Sequence, residues 1–204
     1  EDATRDLQRP LSDLAAVFAC SGGDTHVMDH LCRTLATEDR AISPTYFHNS
    51  VHNAPAGYWS IATGSMHPST ALCAHDASFA EGLREAVSMS VAEQVPVLLV
   101  AYDAIPPEPL LKKRPLSLPF GAAMVLNAQI DSSNSLARLE LLSGQQERQS
   151  EQVSCLPDET LETMRLGNPI ARSLPLLVAI AKAESGRYVL PDVDGLSLAA
   201  ELSV

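Results

Sequence analysis

The residues of this sequence that could support catalysis or metal binding are its histidines and cysteines. All six histidines lie between His26 and His75, and the pairs His26/His30 and His48/His52 have the i,i+4 spacing that places two imidazoles on one helical face. Neither pair encloses the glutamate of the HExxH hydrolytic motif. We therefore expect hydrogen-bonded or exposed histidines, and no metal site.

The four cysteines are widely spaced along the chain, and no CxxC pair suggests zinc or redox chemistry. In a chain of 204 residues this pattern indicates reduced thiols in a cytoplasmic protein. Cys73, two residues before His75, is the candidate for a thiolate nucleophile, which requires a nearby base or helix dipole. The interpretation we favour is that Cys73 fills apolar space in a strand over residues 69–74.

Charge and missing motifs exclude several classes of function. Lys and Arg number 14 against 25 Asp and Glu, and the resulting net charge of −11 argues against binding to nucleic acid or anionic membranes. The sequence lacks the Walker A, GxGxxG and GxSxG motifs, so phosphate cradling, dinucleotide binding and serine hydrolysis have no sequence support. No apolar run of about 18 residues predicts a membrane span, and the first residues do not resemble a signal peptide.

Composition also indicates the domain organisation. Hydrophobic residues make up 46% of the chain and charged residues 19%, which is typical of a globular protein with one sizeable core. No Gly/Ser-rich linker divides the sequence, so we expect a single domain over residues 1–204. Because the sequence does not begin with Met, we leave open that residues precede Glu1.

The elements that would position the candidate residues alternate between strand and helix. An apolar run at residues 14–20 predicts a buried strand, and helical spacing of apolar residues predicts a capped helix over residues 24–36. Residues 48–64 are rich in small side chains, which predicts packed irregular structure or an interface. A helix over residues 77–93 followed by a buried strand at residues 95–102 then indicates an α/β fold.

The C-terminal part of the sequence predicts two hairpins and a helix. Residues 122–130 and 136–142 are apolar runs joined by polar turn residues, which predicts a hairpin. A helix capped by Ser173 is predicted to extend to residue 185. Apolar residues at 187–190 and 196–202 flank a Pro-Asp-Val-Asp-Gly turn and predict a terminal hairpin.

Residues 42–78 also carry a pattern that matches a known family. The matching residues are Ile42-Ser43-Pro44, Asn53-Ala54-Pro55-Ala56-Gly57, Ser60-Ile61-Ala62-Thr63-Gly64, His67-Pro68 and Ala77-Ser78. This pattern resembles the N-terminal half of the β-ketoacyl synthases, in which an Asn-x-Ala-x-Gly segment precedes the strand that delivers the active-site cysteine to a buried helix. The same register places residues 97–102 on the family's next core strand, and the resemblance covers about residues 14–130.

The resemblance implies a truncated thiolase-like fold, an α/β architecture ending in a short C-terminal helix and hairpin. The chain is similar to the short synthase-like proteins of aryl polyene and related type II polyketide or fatty-acid pathways, which behave like chain length factors. In the gapless register Asp76 occupies the position of the nucleophilic cysteine, and a carboxylate cannot form the acyl thioester that condensation requires. The family's catalytic histidines lie in its C-terminal half, where this chain has none after His75.

The resemblance therefore implies a catalytically silent subunit that forms a heterodimer with an active β-ketoacyl synthase and helps to bound the acyl tunnel. Family dimers join through the equivalents of residues 53–64 and 69–74. The candidate interface or tunnel residues are Asn53, Gly57, Tyr58, Trp59, Met66 and Phe79. Because the chain and acyl carrier proteins are both acidic, we expect carrier contact to be indirect, through the partner. No cofactor is expected.

Two other functions remain open at this point. One is a small acyltransferase or thioesterase-like enzyme that uses Cys73 with a clustered histidine. The other is a homodimer that binds acyl chains without a synthase partner. For Asp76 itself, we favour a structural role at the helix N-terminus over a catalytic one.

Overall fold

The structure of this chain, a computed structural model, describes residues 2–5, 7, 9–129, 135–142 and 151–204. Within these residues the strands form two sheets, one of four strands and one of three. The strands are β1 Ala15–Ala19, β2 Ser69–Leu72, β3 Val97–Asp103, β4 Phe120–Leu126, β5 Arg138–Leu142, β6 Gly186–Pro191 and β7 Ser197–Ser203. The helices are α1 Thr25–Leu35, α2 Pro44–Asn49, α3 Ala54–Thr63, α4 Ser78–Glu93, α5 Leu110–Lys113, α6 Glu159–Gly167 and α7 Leu174–Lys182.

The four-stranded sheet has the order β2-β1-β3-β4, with β1 parallel to both β2 and β3 and with β4 antiparallel to β3. Every residue of β1 is buried, because helices cover both faces of the sheet. Val17 and its neighbours in alternate positions pack against α4, whereas Phe18 packs against α3 on the opposite face. The predicted α/β architecture and its first two core strands are confirmed.

Helix α4 lies closely against the sheet at Gly82. A Cβ atom at this position would lie 2.8 Å from the Cβ of Ala19 and 3.1 Å from Cδ1 of Leu99. Leu83 and Ala86 are fully buried on the same helix. The predicted helix over residues 77–93 is thus confirmed within one residue, and its glycine permits the close approach of helix and strand.

The prediction of irregular structure over residues 48–64 is wrong, because most of this segment is helical. Pro44 and Pro55 lie in the first turns of α2 and α3, where a missing backbone N–H costs no helical hydrogen bond. Gly64 ends α3 in the left-handed conformation, with φ of 71°. The proline and glycine residues that suggest irregular structure are therefore the boundary residues of short helices.

The first predicted hairpin is also wrong. Strand β4 pairs with β3 in the four-stranded sheet, and β5 pairs with β7 in the other sheet, whose order is β5-β7-β6. Most of the predicted turn lies outside the described residues. Turn chemistry favours pairing of neighbouring strands, but each of these strands instead has a longer-range partner with which it forms a full ladder.

The terminal hairpin of β6 and β7 is confirmed, and α7 agrees with the predicted C-terminal helix except at its ends. Ser173 does not cap α7, because a 3₁₀ turn runs into the helix and the Ser173 hydroxyl donates to the carbonyl of Ile170 instead. The helix ends at Lys182, since Ala183 adopts a left-handed conformation, and Gly186 already begins β6. The second sheet shares one core with α4 and the first sheet. No helix among the described residues has the length and hydrophobicity needed to cross a bilayer.

Candidate functional site

The candidate site begins at the turn between β2 and α4, where Asp76 lies in a 3₁₀ turn over His75–Ala77. The turn includes one residue in the left-handed backbone conformation, and this residue is His75, with φ of 52°. Ser78 is fully buried beneath the turn, where its hydroxyl accepts from the amide of Ala74 and lies 2.9 Å from the carbonyl of Cys20. The serine therefore fastens the turn to the end of β1.

Asp76 forms ion pairs with two arginines that come from distant parts of the sequence. Arg114 follows α5, and its Nη2 lies 2.5 Å from Oδ1 of Asp76. Arg172 lies in the 3₁₀ turn before α7, and its Nη2 donates to Oδ2 of Asp76 over 3.0 Å. The carboxylate is bound by these guanidinium groups, and among the described residues it accepts no hydrogen bond from an amide of α4. Both arginine side chains are about three-quarters buried.

These contacts determine the charge of Asp76. Burial opposes ionisation, but the hydrogen bond and charge of Arg114, together with the charge of Arg172, outweigh it and hold the pKa of Asp76 below its ordinary value. Asp76 is therefore a carboxylate at neutral pH and is neutralised locally by its two partners. Such a group neither forms a thioester nor resembles the thiolate that decarboxylative condensation requires.

A crevice lies beside Asp76 and is too narrow to admit a water molecule. Its lining consists of Asp76, Phe79, Ala80, Pro169, Arg172, Leu190 and Pro191. Pockets that enclose small organic ligands usually have about 300 Å³ or more. The crevice is therefore too small to enclose an acyl chain within this chain alone.

The candidate thiol Cys73 follows β2 and precedes the Asp76 turn by three residues. It is not a buried filler, because its residue is exposed, and its Sγ lies 2.9 Å from the carbonyl oxygen of Cys20, to which it donates. Interaction with the Cys20 thiol raises the pKa of Cys73 and lowers that of Cys20 to about 6. Cys73 is thus held as a thiol, which disfavours it as a nucleophile.

The four histidines of the two predicted pairs each have a different neighbour, and none of these neighbours is the other histidine of the pair. His26 Nε2 lies 2.9 Å from the carbonyl oxygen of Ile105, and His30 stacks on Tyr46. His48 contacts the edge of the Tyr58 ring. His52 has a different environment, because one of its ring nitrogens lies within 4.8 Å of both the Cys20 and the Cys73 sulfur atoms.

Sequence reasoning missed this grouping of Cys20, His52 and Cys73. The available signal was that each cysteine directly follows an apolar strand. Residues that follow neighbouring parallel strands lie side by side, but the pairing of β1 with β2 is not evident from the sequence.

Four of the six candidate interface residues lie on the surface around α3. Asn53 precedes the helix and is exposed, as are Gly57 and Tyr58 within it, and Met66 after it is 96% exposed. A Cβ atom added at Gly57 would meet no atom within 4 Å. The hydroxyl of Tyr58 donates to the side-chain oxygen of Asn49.

The other two candidates face inward. Trp59 is half-buried against Ala16, Phe18 and Ala56, and its indole Nε1 is buried without a partner among the described residues. Phe79 is 2% exposed and belongs to the core beside the Asp76 crevice.

Further exposed apolar residues continue the surface around α3. They are Phe47, Val51 and Ile61, which are 66%, 51% and 82% exposed. We call this set, with Tyr58 and Met66, the α3 surface. Strand β2, at the edge of the sheet, pairs only with β1 among the described strands. Exposed apolar side chains on and around a helix that packs against an edge strand are typical of a protein–protein interface.

Comparison with known proteins places this geometry in context. The family model described as "Beta-ketoacyl synthase, N-terminal domain" matches residues 2–168. The chain is similar in structure to the ketosynthase ApeO in complex with its chain length factor ApeC from Xenorhabdus doucetiae, with a TM-score of 0.66 and 21% identity over 92% of this chain and 69% of that one. It is also similar to the ishigamide ketosynthase/chain length factor, with a TM-score of 0.67 and 12% identity over 96% of this chain and 74% of that one. No curated protein matches the sequence.

Proposed function

Because this chain belongs to the β-ketoacyl synthase N-terminal domain family, we propose that it is a non-catalytic, chain-length-factor-like subunit that pairs with an active β-ketoacyl synthase. The pair would act in aryl polyene, polyketide or fatty-acid-type biosynthesis. The condensation chemistry would belong to the partner, and this chain would help to bound the length of the acyl product. We place the pair in the cytoplasm.

The observation that carries this proposal is the state of Asp76. The residue stands where the family's nucleophile is expected, and Arg114 and Arg172 hold its carboxylate charged. The turn between β2 and α4 therefore carries a charged carboxylate at that position and no thiol. This combination favours a subunit whose role depends on the fold and not on acyl transfer.

The α3 surface and the edge of β2 supply a face for the partner. A subunit that bounds a tunnel must pack closely against the subunit in which the tunnel lies, and apolar side chains such as Ile61 and Met66 gain free energy when they are buried there. The two similar solved structures are a ketosynthase in complex with its chain length factor and a ketosynthase/chain length factor, which supports a heterodimer over a homodimer. Trp59 packs beneath this face on the α3 side of the sheet, whereas Phe79 lies on the α4 side beside the crevice, so the two would contact different parts of a shared acyl space or interface.

The acidic charge of the chain favours indirect contact with an acyl carrier protein. A net charge of −11 repels an acidic carrier at long range, so the partner synthase would provide the basic docking surface. The environment of Cys73, whose pKa is raised, does not favour the alternative of a thiol-dependent acyltransferase. An acyl-binding homodimer would use the same α3 surface. The experiment below distinguishes it from a heterodimer with a synthase.

The test is capture of the tagged chain from its native host, followed by native mass spectrometry of what accompanies it. We expect a one-to-one complex with a full-length condensing enzyme. Ile61→Asp should abolish the complex because a carboxylate would be buried at its centre. Val91→Asp is the matched control, since Val91 is 57% exposed on α4, across the sheet from α3. A lone homodimer, or equal binding by both variants, would contradict the proposal.

A further inference from the structure

The C-terminal ends of two parallel strands and the connection between α2 and α3 bring two thiols and an imidazole together, apart from the Asp76 ion pairs. Cys20 follows β1, Cys73 follows β2, and His52 lies between α2 and α3, above the same edge of the sheet. One ligand atom from each of the three lies within 4.8 Å of the others. In open α/β sheets this edge is where ligands usually bind.

We propose that Cys20, His52 and Cys73 form a binding site for a single Zn²⁺ ion. Thiolate and imidazole are the protein ligands that zinc prefers, and three of them with a fourth position for water is a common arrangement. Tetrahedral zinc with bonds of about 2.3 Å to sulfur needs sulfur atoms about 3.8 Å apart. Because the three ligand atoms already lie within 4.8 Å of one another, the side chains have to close by at most about 1 Å.

The surroundings of the three residues fit a cation. The Nδ1 of His52 lies 3.6 Å from the position that a Cβ on Gly23 would take, which is an ordinary van der Waals contact, and φ of 69° at Gly23 favours glycine. Neither ring nitrogen of His52 forms a hydrogen bond with a described residue, so both are available for coordination.

A buried carboxylate adds negative charge near the cluster. Asp103 ends β3 and is 7% exposed; its Oδ1 accepts from the amide of Ser21, the residue after Cys20, over 2.7 Å. The other oxygen, Oδ2, is buried and has no partner among the described residues. A buried carboxylate oxygen without a partner is costly, and a cation nearby reduces that cost.

The cluster is also open to an incoming ion. Cys20 is buried, but His52 and Cys73 are both exposed, so the site has one covered side and one open side. Zinc binding would displace the thiol protons and join the α2–α3 connection to the ends of β1 and β2. It would stabilise the folded chain as any ligand specific for the native state does. The proposal does not depend on the identity of the protein partner.

The test uses the full chain, kept reduced and freed of metal by a chelator. Zn²⁺ is titrated in competition with a chromophoric chelator, and Co²⁺ serves as a spectroscopic probe of tetrahedral thiolate coordination. We expect one equivalent of zinc, a thiolate-to-cobalt charge-transfer band, and a rise in the thermal midpoint. Cys73→Ser and His52→Ala should each weaken binding by about 10–100-fold or more.

Cys32→Ser is the matched control, because Cys32 is an exposed thiol on α1 and should leave zinc binding unchanged. Since Cys73 and His52 are both exposed, their variants should fold, and circular dichroism checks this. Equal zinc affinity in all the variants would overturn the site, as would wild-type protein that binds neither metal. A zinc-free chain in which intact mass shows Cys20 joined to Cys73 would also overturn it, in favour of a disulfide.

Discussion

Arg172 contacts Asp76 twice, once through each terminal nitrogen of its guanidinium group. Nη2 donates to the carboxylate oxygen Oδ2 over 3.0 Å, and Nη1 donates to the backbone carbonyl of the same residue over 3.2 Å. The two residues are 96 positions apart in sequence. The arginine thus fixes both the side chain and the backbone of the turn that leads into α4.

The first prediction concerns this turn. Asp76→Ala should lower the free energy of unfolding by about 1 kcal/mol, because it leaves Arg114 and Arg172 without their shared partner in a partly solvated setting. Urea unfolding measures the change. Asp29→Ala is the control, since Asp29 pairs with Arg33 on exposed α1 and should cost less. Equal losses in both variants would contradict the structural role of Asp76.

The second prediction concerns acid stability. Because the folded-state pKa of Asp76 is lowered from 3.8, its contribution to stability is fully present above pH 3.8 and is lost as the pH falls through the lower folded-state value. The stability difference between wild type and Asp76→Asn should therefore be constant near neutral pH and shrink in acid. Urea midpoints measured across this range check it. A stability difference that grows as the pH falls would contradict a lowered pKa of Asp76 in the folded state.

The third prediction tests the proposal that the chain is non-catalytic and lacks more than a thiol. Asp76→Cys places a thiol at the family's nucleophile position, but no histidine of this sequence follows His75 to promote decarboxylation. We expect no condensation product by mass spectrometry, even when the chain is supplied with acyl and malonyl carrier proteins. Turnover above that of wild type would show that other residues supply the missing groups.

The fourth prediction concerns the packing of α4. Gly82→Ala should cost about 1–3 kcal/mol of unfolding free energy, because its Cβ would lie 2.8 Å from that of Ala19. Gly57→Ala is the matched control on α3, where open space surrounds the position and alanine should stabilise the helix by about 0.5–1 kcal/mol. Thermal unfolding of both variants shows whether the midpoint falls for Gly82→Ala and rises for Gly57→Ala, as we expect. A stabilising Gly82→Ala would contradict the close helix–sheet contact.

The fifth prediction concerns the ion pair between α4 and the second sheet. The Asp192 side chain is 1% exposed and lies 2.5 Å from Nη2 of Arg84. Arg84→Met should cost about 2–3 kcal/mol, because it leaves a buried carboxylate that keeps only its backbone partner at Val193 and its interaction with Glu81. Arg33→Met removes an ion pair on α1 in which the arginine is exposed, so it should cost much less. Chemical denaturation distinguishes them.

Much of the fold could be predicted from local patterns, because β1, β3 and α4 are long and strongly apolar and their periodicity is decisive. The short helices α2 and α3 were missed because their prolines and glycine suggest irregular structure while serving as helix boundaries. The pairing of β4 and β5 was missed because it depends on strands far away in sequence, which turn residues do not reveal.

The site was predictable only where a family register supplied it. That register identified Asp76, but it could not show that Arg114 and Arg172 neutralise it, because those contacts span 38 and 96 residues between loops. The grouping of Cys20 with Cys73 required knowledge of which strands are neighbours in the sheet. Contacts between loops and between parallel strands have no local sequence signal.

The position of β2 at the edge of the sheet limits the amount of unpaired chain that can persist in a cell. An edge strand beside Ile61 and Met66 is a template for uncontrolled pairing with other chains. With the proposed synthase partner, any copy of the chain made in excess would keep this template exposed and be lost to aggregation or proteolysis. The ratio of the two subunits would then be corrected after synthesis, by removal of the unpaired chain.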